Sequence, residues 1–529
     1  MRIAVAGGGP GGLFLATLVR QADPSAEVTV FERNRADDTF GFGVVFSDRT
    51  LAAIHEADPV LRRALTDHGR HWDEIEVRLK GERIRCGGNG MAAVARRTLL
   101  LLMQDRARDV GVDLRFSTEV TLDDLTGYDL VVAADGTGSR IREQLEAERG
   151  ADLGTEVETA AAKFIWFGTD HLFDGLTFIH ERGPDGVFAV HGYPVSDTVS
   201  TFIVETDEAS WRRAGLDAFD VTQPPGPSDL RSKEYLEKLF ADHIGGGKLL
   251  TNNSRWGNFR TRRTRRWHTT SPRPVVLLGD AVHTAHFSVG SGTKMAMEDA
   301  VALAAALSAH PGDLPAALSA YEEAAQPSVR RIQDSARPSL SWWEHFGRYH
   351  DTFEPWQFAY HFLTRSISDA RLARRAPEFV AGGHLGWTRA HGAEPLETPF
   401  HGSGWQAPGR LVDIVRSADG TPTAVRGVGE LSLSAEPVPG PWGALLTAPD
   451  SEAGLPGVLA RLAALAGSGA GGPVLVAVHG GTPLTRVLVC EQARMAEGLP
   501  ALLIDPEPDR DRALTTVLSG RADLVGVPG

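Results

Sequence analysis

Residues 275–300 read VVLLGDAVHTAHFSVGSGTKMAMEDA: an apolar run reaches Gly279-Asp280, crosses a glycine-rich turn and continues with apolar residues at helical spacing. The order strand, turn, helix builds a site at one edge of a sheet. A strand that stops there leaves the Asp280 carboxylate at its carboxyl end, where it accepts hydrogen bonds from ligand hydroxyls. Gly290 and Gly292 carry no Cβ, so the backbone can lie close to a flat ligand. From Thr293 the expected helix points unpaired N–H groups and its positive dipole end above the turn, which suits a ligand edge bearing negative charge. Taken alone, the same order is ordinary α/β packing.

The other end of the chain carries a matching element. Residues 1–33, MRIAVAGGGPGGLFLATLVRQADPSAEVTVFER, read as strand, glycine loop, helix and strand. Gly7, Gly9 and Gly12 form G-x-G-x-x-G, and Glu32 follows about 20 residues after the loop, with Arg33 beside it. In that pattern Gly7 makes the turn, Gly9 lets a pyrophosphate reach the backbone, and Gly12 lets helix and strand pack closely. Glu32 is then placed to hold ribose hydroxyls. The expectation is a dinucleotide-binding βαβ unit.

Composition sets the outer limits. With 529 residues, 42% of them hydrophobic, the chain can bury several cores, and length alone suggests roughly three domains. A net charge of −14 argues against nucleic acid as a general partner. No run approaches the ~18 apolar residues of a membrane helix, and the apolar N-terminus reads as the first strand rather than a signal peptide. Only Cys86 and Cys490 are present, so neither a disulfide framework nor a cysteine metal site is expected, and no metal is assigned. A soluble, cytoplasmic protein follows as the expectation.

Between the two ends, residues 40–51 (FGFGVVFSDRTL) give a loop of glycine and small apolar residues around Val45. It either lies along the edge of a flat ligand or is a connector capped by Ser47 or Asp48. Residues 74–86 alternate as a hairpin turning at Lys80-Gly81 and belong to a different sheet from the nucleotide fold. Arg96 heads a helix over 96–111, where its guanidinium could reach a pyrophosphate. Residues 129–140 (DLVVAADGTGSR) are a buried strand ending at Asp135-Gly136. Residues 157–267 lack βαβ alternation and read as an inserted antiparallel sheet, a usual roof for a substrate pocket.

Further on, a helix is expected over 314–331 and an aromatic-rich helical stretch from Trp342 to Tyr360, and residues 395–409 mark a Pro/Gly-rich boundary. The resulting fold class is α/β: a Rossmann-like nucleotide domain interleaved with an antiparallel β-sheet substrate domain, then a helical segment and a small α/β tail. The expected boundaries are 1–155 (with a substrate-domain hairpin near 72–90), 156–268, 269–340, 341–395 and 410–529.

Together, G-x-G-x-x-G with Glu32, Arg96, Asp135-Gly136 and Gly279-Asp280 make the chain resemble the single-component FAD-dependent aromatic hydroxylases, typified by para-hydroxybenzoate hydroxylase, over residues 1–392. The wording of residues 22–48 and 279–300 is similar to the members acting on aryl-CoA thioesters, the anthraniloyl-CoA monooxygenase and salicylyl-CoA 5-hydroxylase group. Larger members carry an old-yellow-enzyme-like barrel; here the tail is too short for eight βα units, though residues 485–500 and 519–529 are similar to pieces of such a barrel's end. Loss of a complete barrel favours the salicylyl-CoA activity, which needs no later ring-reducing domain.

The resemblance implies FAD as cofactor, NADH or NADPH as transient reductant, O2 as co-substrate, a C4a-hydroperoxide of the flavin, and an aryl-CoA substrate; a homodimer is compatible with it. Gly292 and Thr293 are expected beside N1 and O2 of the flavin. His283 and His286 are the candidates for handling the phenolic proton, with structural roles equally open to both. Phe287 stands where the common pattern has proline, so the wall facing the reactive flavin edge is expected to differ. Anthraniloyl-CoA, a free aromatic acid, a flavin reductase or dehydrogenase without oxygen insertion, and a flavin-binding partner protein remain the alternatives.

The row 255–266 packs six arginines, Arg255, Arg260, Arg262, Arg263, Arg265 and Arg266, into an acidic chain. Arginine binds phosphate by paired, charge-assisted hydrogen bonds, so Arg260, Arg263 and Arg265 are candidates for the phosphates of coenzyme A. A solvated basic edge or a seat for the nicotinamide pyrophosphate are the competing readings. In a strand, alternate side chains face opposite sides, so only some of these arginines could reach one ligand.

Overall fold

Strand Arg2–Ala6 is apolar from Ile3 onward, and in the computed structural model it lies inside a six-stranded sheet ordered His268–Thr269, Val275–Leu277, Leu130–Ala133, Arg2–Ala6, Glu27–Phe31, Asp113–Arg115. Neighbours are parallel except at His268–Thr269. Helices Pro10–Ala22 and Gly292–Ala309 pack against each other. The structure describes residues 1–39, 41–148, 150–223, 226–290, 292–468, 471–507 and 509–528. They divide into two units, Met1–Arg83 with Asn89–Gly347 and Ile84–Gly88 with Arg348–Gly529.

In the first unit the chain leaves the parallel sheet after Leu130–Ala133, builds a second sheet, and returns as Val275–Leu277 beside the strand it left. The second sheet runs Leu249–Leu250, Thr155–Thr169, Ser200–Thr206, Gly186–Pro194, Leu176–Gly183, Ile75–Leu79, and Gly257–Thr264 also pairs with Thr155–Thr169. It is antiparallel except where Ile75–Leu79 joins Leu176–Gly183.

Its two faces separate by the two-residue period of a strand. Ile165, Phe167, Ile179, Phe188, Val190, Phe202 and Val204 form one core with Trp211 and Leu236, which lie on helices Glu208–Arg213 and Leu230–Leu239. The opposite positions carry Trp166, His180, His191, Tyr193 and Glu205. A small sheet, Gly43–Ser47 and Arg70–Trp72 on either side of Met91–Ala95, sets Val45 opposite Ala93. Ser47 caps the helix that follows by accepting from the Thr50 amide. Phe40, the first residue of that glycine-rich segment, lies outside the described residues.

One helix, Leu314–Thr352, runs through Pro327 and Pro338, where the sequence reading ends a helix near 331 and starts another segment at 341. Each interior proline costs about 3 kcal/mol. The buried series Leu318, Tyr321, Ala325, Val329, Ala336, Leu340, Trp343 keeps one apolar face across both, and that burial outweighs the two prolines.

In the second unit, seven strands among the described residues form a closed barrel: Leu411–Arg416, Pro422–Gly427, Gly429–Ser434, Trp442–Thr447, Leu475–His479, Ala501–Ile504 and Leu524–Pro528. Two antiparallel hairpin pairings replace the βα units the tail lacks, the remaining pairings are parallel, and the last strand pairs with the first. Val412, Ile414, Val425, Leu431, Leu433, Leu475, Ala477, Leu502, Ile504 and Leu524 cluster together, alternate residues of their strands, so the barrel encloses a packed core. Beside it, the Tyr349 hydroxyl donates to Glu491 Oε2 (2.5 Å), His361 Nε2 lies 3.0 Å from Glu491 Oε1, and Arg521 donates to the His361 carbonyl (2.7 Å) and Thr364 Oγ1 (3.1 Å).

Candidate active site

Because Arg2–Ala6 and Val275–Leu277 run the same way, the turns that follow them emerge at one edge of the sheet, each leading into a helix N-terminus. At the first turn Gly7 has φ +113°, and a Cβ there would meet the Ala134 carbonyl at 2.2 Å. A Cβ at Gly12 would meet the Gly7 carbonyl at 2.2 Å, whereas one at Gly9 would meet nothing within 4 Å. Turn, close packing and open space therefore fall on the three glycines in that order. Helix Pro10–Ala22 has no side-chain cap, so its first amides face the open side, as an anion requires.

A cleft of about 170 Å³ opens here, lined by Gly7, Gly9, Glu32, Arg33, Asp135 and Arg140 among others. Glu32 accepts from the Gly8 amide (2.8 Å) through one oxygen and from the Asn34 amide and side chain (2.8 Å each) through the other. Those bonds fix the carboxylate and leave further lone pairs for ligand hydroxyls. Asp135 Oδ1 is buried with no hydrogen-bond partner among the described residues, and burial pushes this carboxyl above its ordinary range despite the bonds from Ser139 and Ile141. Arg33 is exposed at the rim.

At the second turn Gly279 takes φ +63°, and its amide donates to Asp299 Oδ2 (2.9 Å). Burial raises the Asp280 carboxyl, opposed by the charges of His283, Arg96 and Arg262. Arg96 begins helix Arg96–Asp109; burial lowers its guanidinium while Asp280 and Tyr193 oppose that shift. Cβ atoms at Gly290 and Gly292 would meet nothing within 4 Å, so helix Gly292–Ala309, with Thr293 in its first turn, starts against open space. The open glycines, the orphaned Asp135 oxygen and the Asp280 carboxylate beside Arg96 fit an extended dinucleotide whose second half is flat.

Residues 1–336 match the model of an FAD binding domain family. The chain belongs to that family. This flavoprotein is 56% identical to salicyloyl-CoA 5-hydroxylase from a Streptomyces species over 99% of both chains. It is 37% identical to 3-hydroxy-4-methyl-anthranilyl aryl-carrier protein 5-monooxygenase of Streptosporangium sibiricum, over 65% of this chain and 89% of that one. A crystal structure of 2-methyl-3-hydroxypyridine-5-carboxylic acid oxygenase superposes with a TM-score of 0.52 at 19% identity, covering 69% of this chain and 98% of the other; at that identity the likeness concerns the fold. The protein is an FAD-dependent monooxygenase, and its α/β fold class is the one expected from sequence. No helix among the described residues is long and apolar enough to cross a membrane.

The second sheet grips the turn after Val275–Leu277 through Gly257–Thr264. The Arg262 amide donates to Thr284 Oγ1 (2.7 Å), Thr284 Oγ1 to the Arg260 carbonyl (2.6 Å), Thr264 Oγ1 to the Val282 carbonyl (2.6 Å), and Arg262 Nη1 to the Asp280 carbonyl (3.1 Å). From the other side Arg142 Nη1 donates to the Ala281 carbonyl (2.6 Å). The arginine row is thus divided by the strand. Arg262 faces inward, whereas Arg263 pairs with Asp334 (3.0 Å), Arg265 with Asp152 (2.7 Å), and Arg260 is exposed.

The two candidate histidines have separate settings. His283 Nε2 lies 2.7 Å from Asp299 Oδ2, both groups buried; burial lowers its basicity, but Asp299 outweighs that and the net shift is upward. His286 Nδ1 lies 2.8 Å from Ser288 Oγ, and its Nε2 faces Glu205 Oε2 at 3.6 Å. Phe287 sits in an aromatic group with Phe164 (5.1 Å between centroids), Trp166 (5.8 Å), His191 (5.5 Å) and Phe259 (6.0 Å). Trp72 stacks on Tyr193 at 6.3 Å, whose hydroxyl burial pushes up to about 12. Val45, Trp72, Trp166 and Phe287 are only partly buried around Ala93, Tyr193, Val195 and Ile203, giving an apolar, aromatic-lined surface on the face of the sheet away from its own helices.

The sequence reading passed over His191, Glu205, Asp299, Arg142, Trp72 and Trp166. A signal existed for two of them: His191 and Glu205 are ionisable residues inside otherwise apolar strands, GVFAVHGYP and STFIVET.

Proposed function

We propose that the enzyme hydroxylates the ring of an aryl-CoA thioester, salicylyl-CoA at position 5 to give gentisyl-CoA, using O2 and NADH or NADPH in the cytoplasm. The observation that carries this reading is the 56% identity to a protein named salicyloyl-CoA 5-hydroxylase, which extends through the second unit as well as the flavin domain. The chemistry agrees with the position. C5 is para to the ring hydroxyl of a salicylyl group, so removing that hydroxyl's proton enriches the carbon to be oxidised. An anthraniloyl ring, with an amine in that place, is the runner-up.

The redox chemistry is supplied by FAD. The chain's own part is to hold and shield. Gly7, Gly9, Gly12 and Glu32 seat the adenosine half, Arg96 and Asp135 the pyrophosphate region, and Asp280 with the Gly292-Thr293 amides the flavin half. Trp72, Trp166 and Phe287 face the aromatic ring and exclude water from it.

Salicylyl-CoA is expected to be hydroxylated with about 100-fold higher kcat/KM than free salicylate, with oxygen uptake matching product. Equal rates on the free acid would remove the thioester from the reading, and nicotinamide oxidation without hydroxylated product would make the protein a reductase.

Arg260, Arg263 and Arg265 are proposed for the phosphates of coenzyme A. The ion pairs of Arg263 and Arg265 are exposed, and such pairs contribute about 0–1 kcal/mol, so a phosphate can displace the carboxylates. Reversing both charges, Arg263→Glu with Arg265→Glu, is expected to raise KM for salicylyl-CoA about tenfold at unchanged FAD content. A rise in KM for the nicotinamide instead would move the patch to the reductant.

A further inference from the structure

Gly41, Phe42 and Gly43 lie on the face of the second sheet that carries Trp166, His191 and Glu205, the last two 2.6 Å apart on adjacent strands. They fit it closely. A Cβ at Gly168 would meet the Phe42 ring at 2.6 Å, and one at Gly43 would overlap the Val195 side chain, so Gly168 makes the seat for Phe42 and Gly43 the seat for Val195. Gly41 takes φ +77°, and a Cβ there would lie 3.8 Å from the Trp166 ring and 4.0 Å from Arg96 Nη1. The Arg96 amide donates to the Phe42 carbonyl (2.9 Å). The three residues therefore run between the second sheet and Arg96, whose charge interacts with that of Asp280.

One side chain far along the sequence holds this segment. Asn252 Nδ2 donates to the Thr39 carbonyl (2.9 Å) and to the Gly41 carbonyl (3.1 Å). Both partners only accept, so the nitrogen of the amide faces the segment and spends both of its N–H bonds there. The residue that offers them is itself fixed. Its backbone amide donates to Ser254 Oγ (3.1 Å), and Ser254 Oγ donates to the Trp166 carbonyl (2.6 Å). Asn253 takes φ +52°, the left-handed conformation that asparagine tolerates, and its Oδ1 accepts from the Gly226 amide (2.8 Å) and Arg255 Nη2 (2.7 Å).

We propose that Asn252 is a positioning residue of the hydroxylation: by holding Gly41–Gly43 against the second sheet it keeps water from the cofactor and the ring while oxygen is transferred. The proposal rests on the seating of FAD given above and on the aryl-CoA reading. Hydroxylation places one atom of O2 in a ring C–H bond and releases the other as water, with NAD(P)H and a proton supplying two electrons and two hydrogens. When water enters the site, the same NAD(P)H, proton and O2 end as NAD(P)+ and hydrogen peroxide, and the ring is left unchanged. The division between these two outcomes therefore reports how well the segment is held.

The test uses full-length, FAD-loaded enzyme and two measurements. Hydrogen–deuterium exchange of a peptide spanning residues 41–47, in oxidised enzyme without substrate, reads opening of the segment; hydrogen peroxide formed per NAD(P)H consumed with salicylyl-CoA reads its effect on the reaction. Asn252→Ala should speed the exchange about tenfold through the loss of two hydrogen bonds and raise the peroxide share several-fold. Asn252→Asp identifies the cause. It keeps the size of asparagine, but its carboxylate has no proton to donate to two carbonyls, so it should open the segment at least as far as Asn252→Ala. Gly168→Ala, which displaces Phe42 and leaves Asn252 in place, should act in the same direction. An Asn252→Asp enzyme that exchanges like the unaltered one would overturn the proposal, as would faster exchange with an unchanged peroxide share. If the unaltered enzyme forms no hydroxylated product from salicylyl-CoA, the aryl-CoA reading falls, and the exchange rates alone decide whether Asn252 holds the segment.

Discussion

An Asp280→Ala enzyme is expected to purify folded but nearly colourless. Asp280 lies in the turn after strand Val275–Leu277, which brings the chain back into the parallel sheet, and its carboxylate is under the charges of His283, Arg96 and Arg262. Removing it takes away an acceptor for ligand hydroxyls and leaves two guanidiniums with less opposing charge. Hydrogen bonds to a charged group contribute about 1.5–3 kcal/mol, which corresponds to FAD binding weakened about 10- to 150-fold. The turn itself should persist, because the bonds that hold it run to backbone atoms: Arg262 to the Asp280 carbonyl, Arg142 to the Ala281 carbonyl and Asp299 to the Gly279 amide. The ratio of flavin to protein absorbance, with a titration of added FAD, measures this directly; full flavin content would show that Asp280 does not contact the cofactor. Asp280→Asn, which keeps one acceptor oxygen, should fall between the two.

Glu491→Ala should be the most damaging single change in the second unit. Glu491 is 1% exposed and holds the Tyr349 hydroxyl and His361, with Arg521 bonded to the His361 carbonyl. Taking one member from a buried charged set leaves the others uncompensated, at a cost of about 3–5 kcal/mol, and thermal melting should show a loss of that order. Acid should act through the same residues. Burial and Arg521 hold His361 down to about 4, below the roughly 6.5 of an unfolded histidine. Between those values the unfolded chain binds a proton that the folded chain refuses, so stability falls as pH drops from about 6.5 to about 4. Glu491, lowered to about 2, adds stability above its unfolded value of about 4.3 that is lost as pH falls toward 2. A melting temperature flat from pH 7 to 4 would contradict the assignment. Removing the chain after Gly409 should be worse than either, since Tyr360 and Trp387 share a core with Val517, Leu518 and Val525.

What could be read from the sequence divides by distance along the chain. Gly7, Gly9, Gly12 and Glu32 were legible because one βαβ unit of about 30 residues contains the whole pattern, and Gly279-Asp280 because a strand and its turn are adjacent. His191 and Glu205 lie only 14 positions apart, yet their meeting depends on the register of two strands, which sequence does not state. The arginine row was legible only in part, for a related reason. Density along the chain says nothing about sidedness, and the strand sends Arg262 inward to the Asp280 carbonyl while Arg263 and Arg265 reach surface carboxylates. The helix break expected between residues 331 and 342 is absent because one apolar face continues past Pro338. Barrel closure in the tail was hidden because two hairpin pairings stand where βα repeats were sought.

The return of the chain to its first sheet has a consequence for synthesis. Leu130–Ala133 must wait for Val275–Leu277 before its outer edge is paired, and the second helix of the proposed cofactor site ends only at Ala309. A nascent chain that has left the ribosome as far as residue 270 therefore carries a nucleotide half-site and an open, wholly apolar strand edge, the kind of template on which partly made proteins associate. With FAD seated as proposed, its loading waits for release of the polypeptide past residue 309, the earliest moment at which both turns and both helices of the proposed site exist.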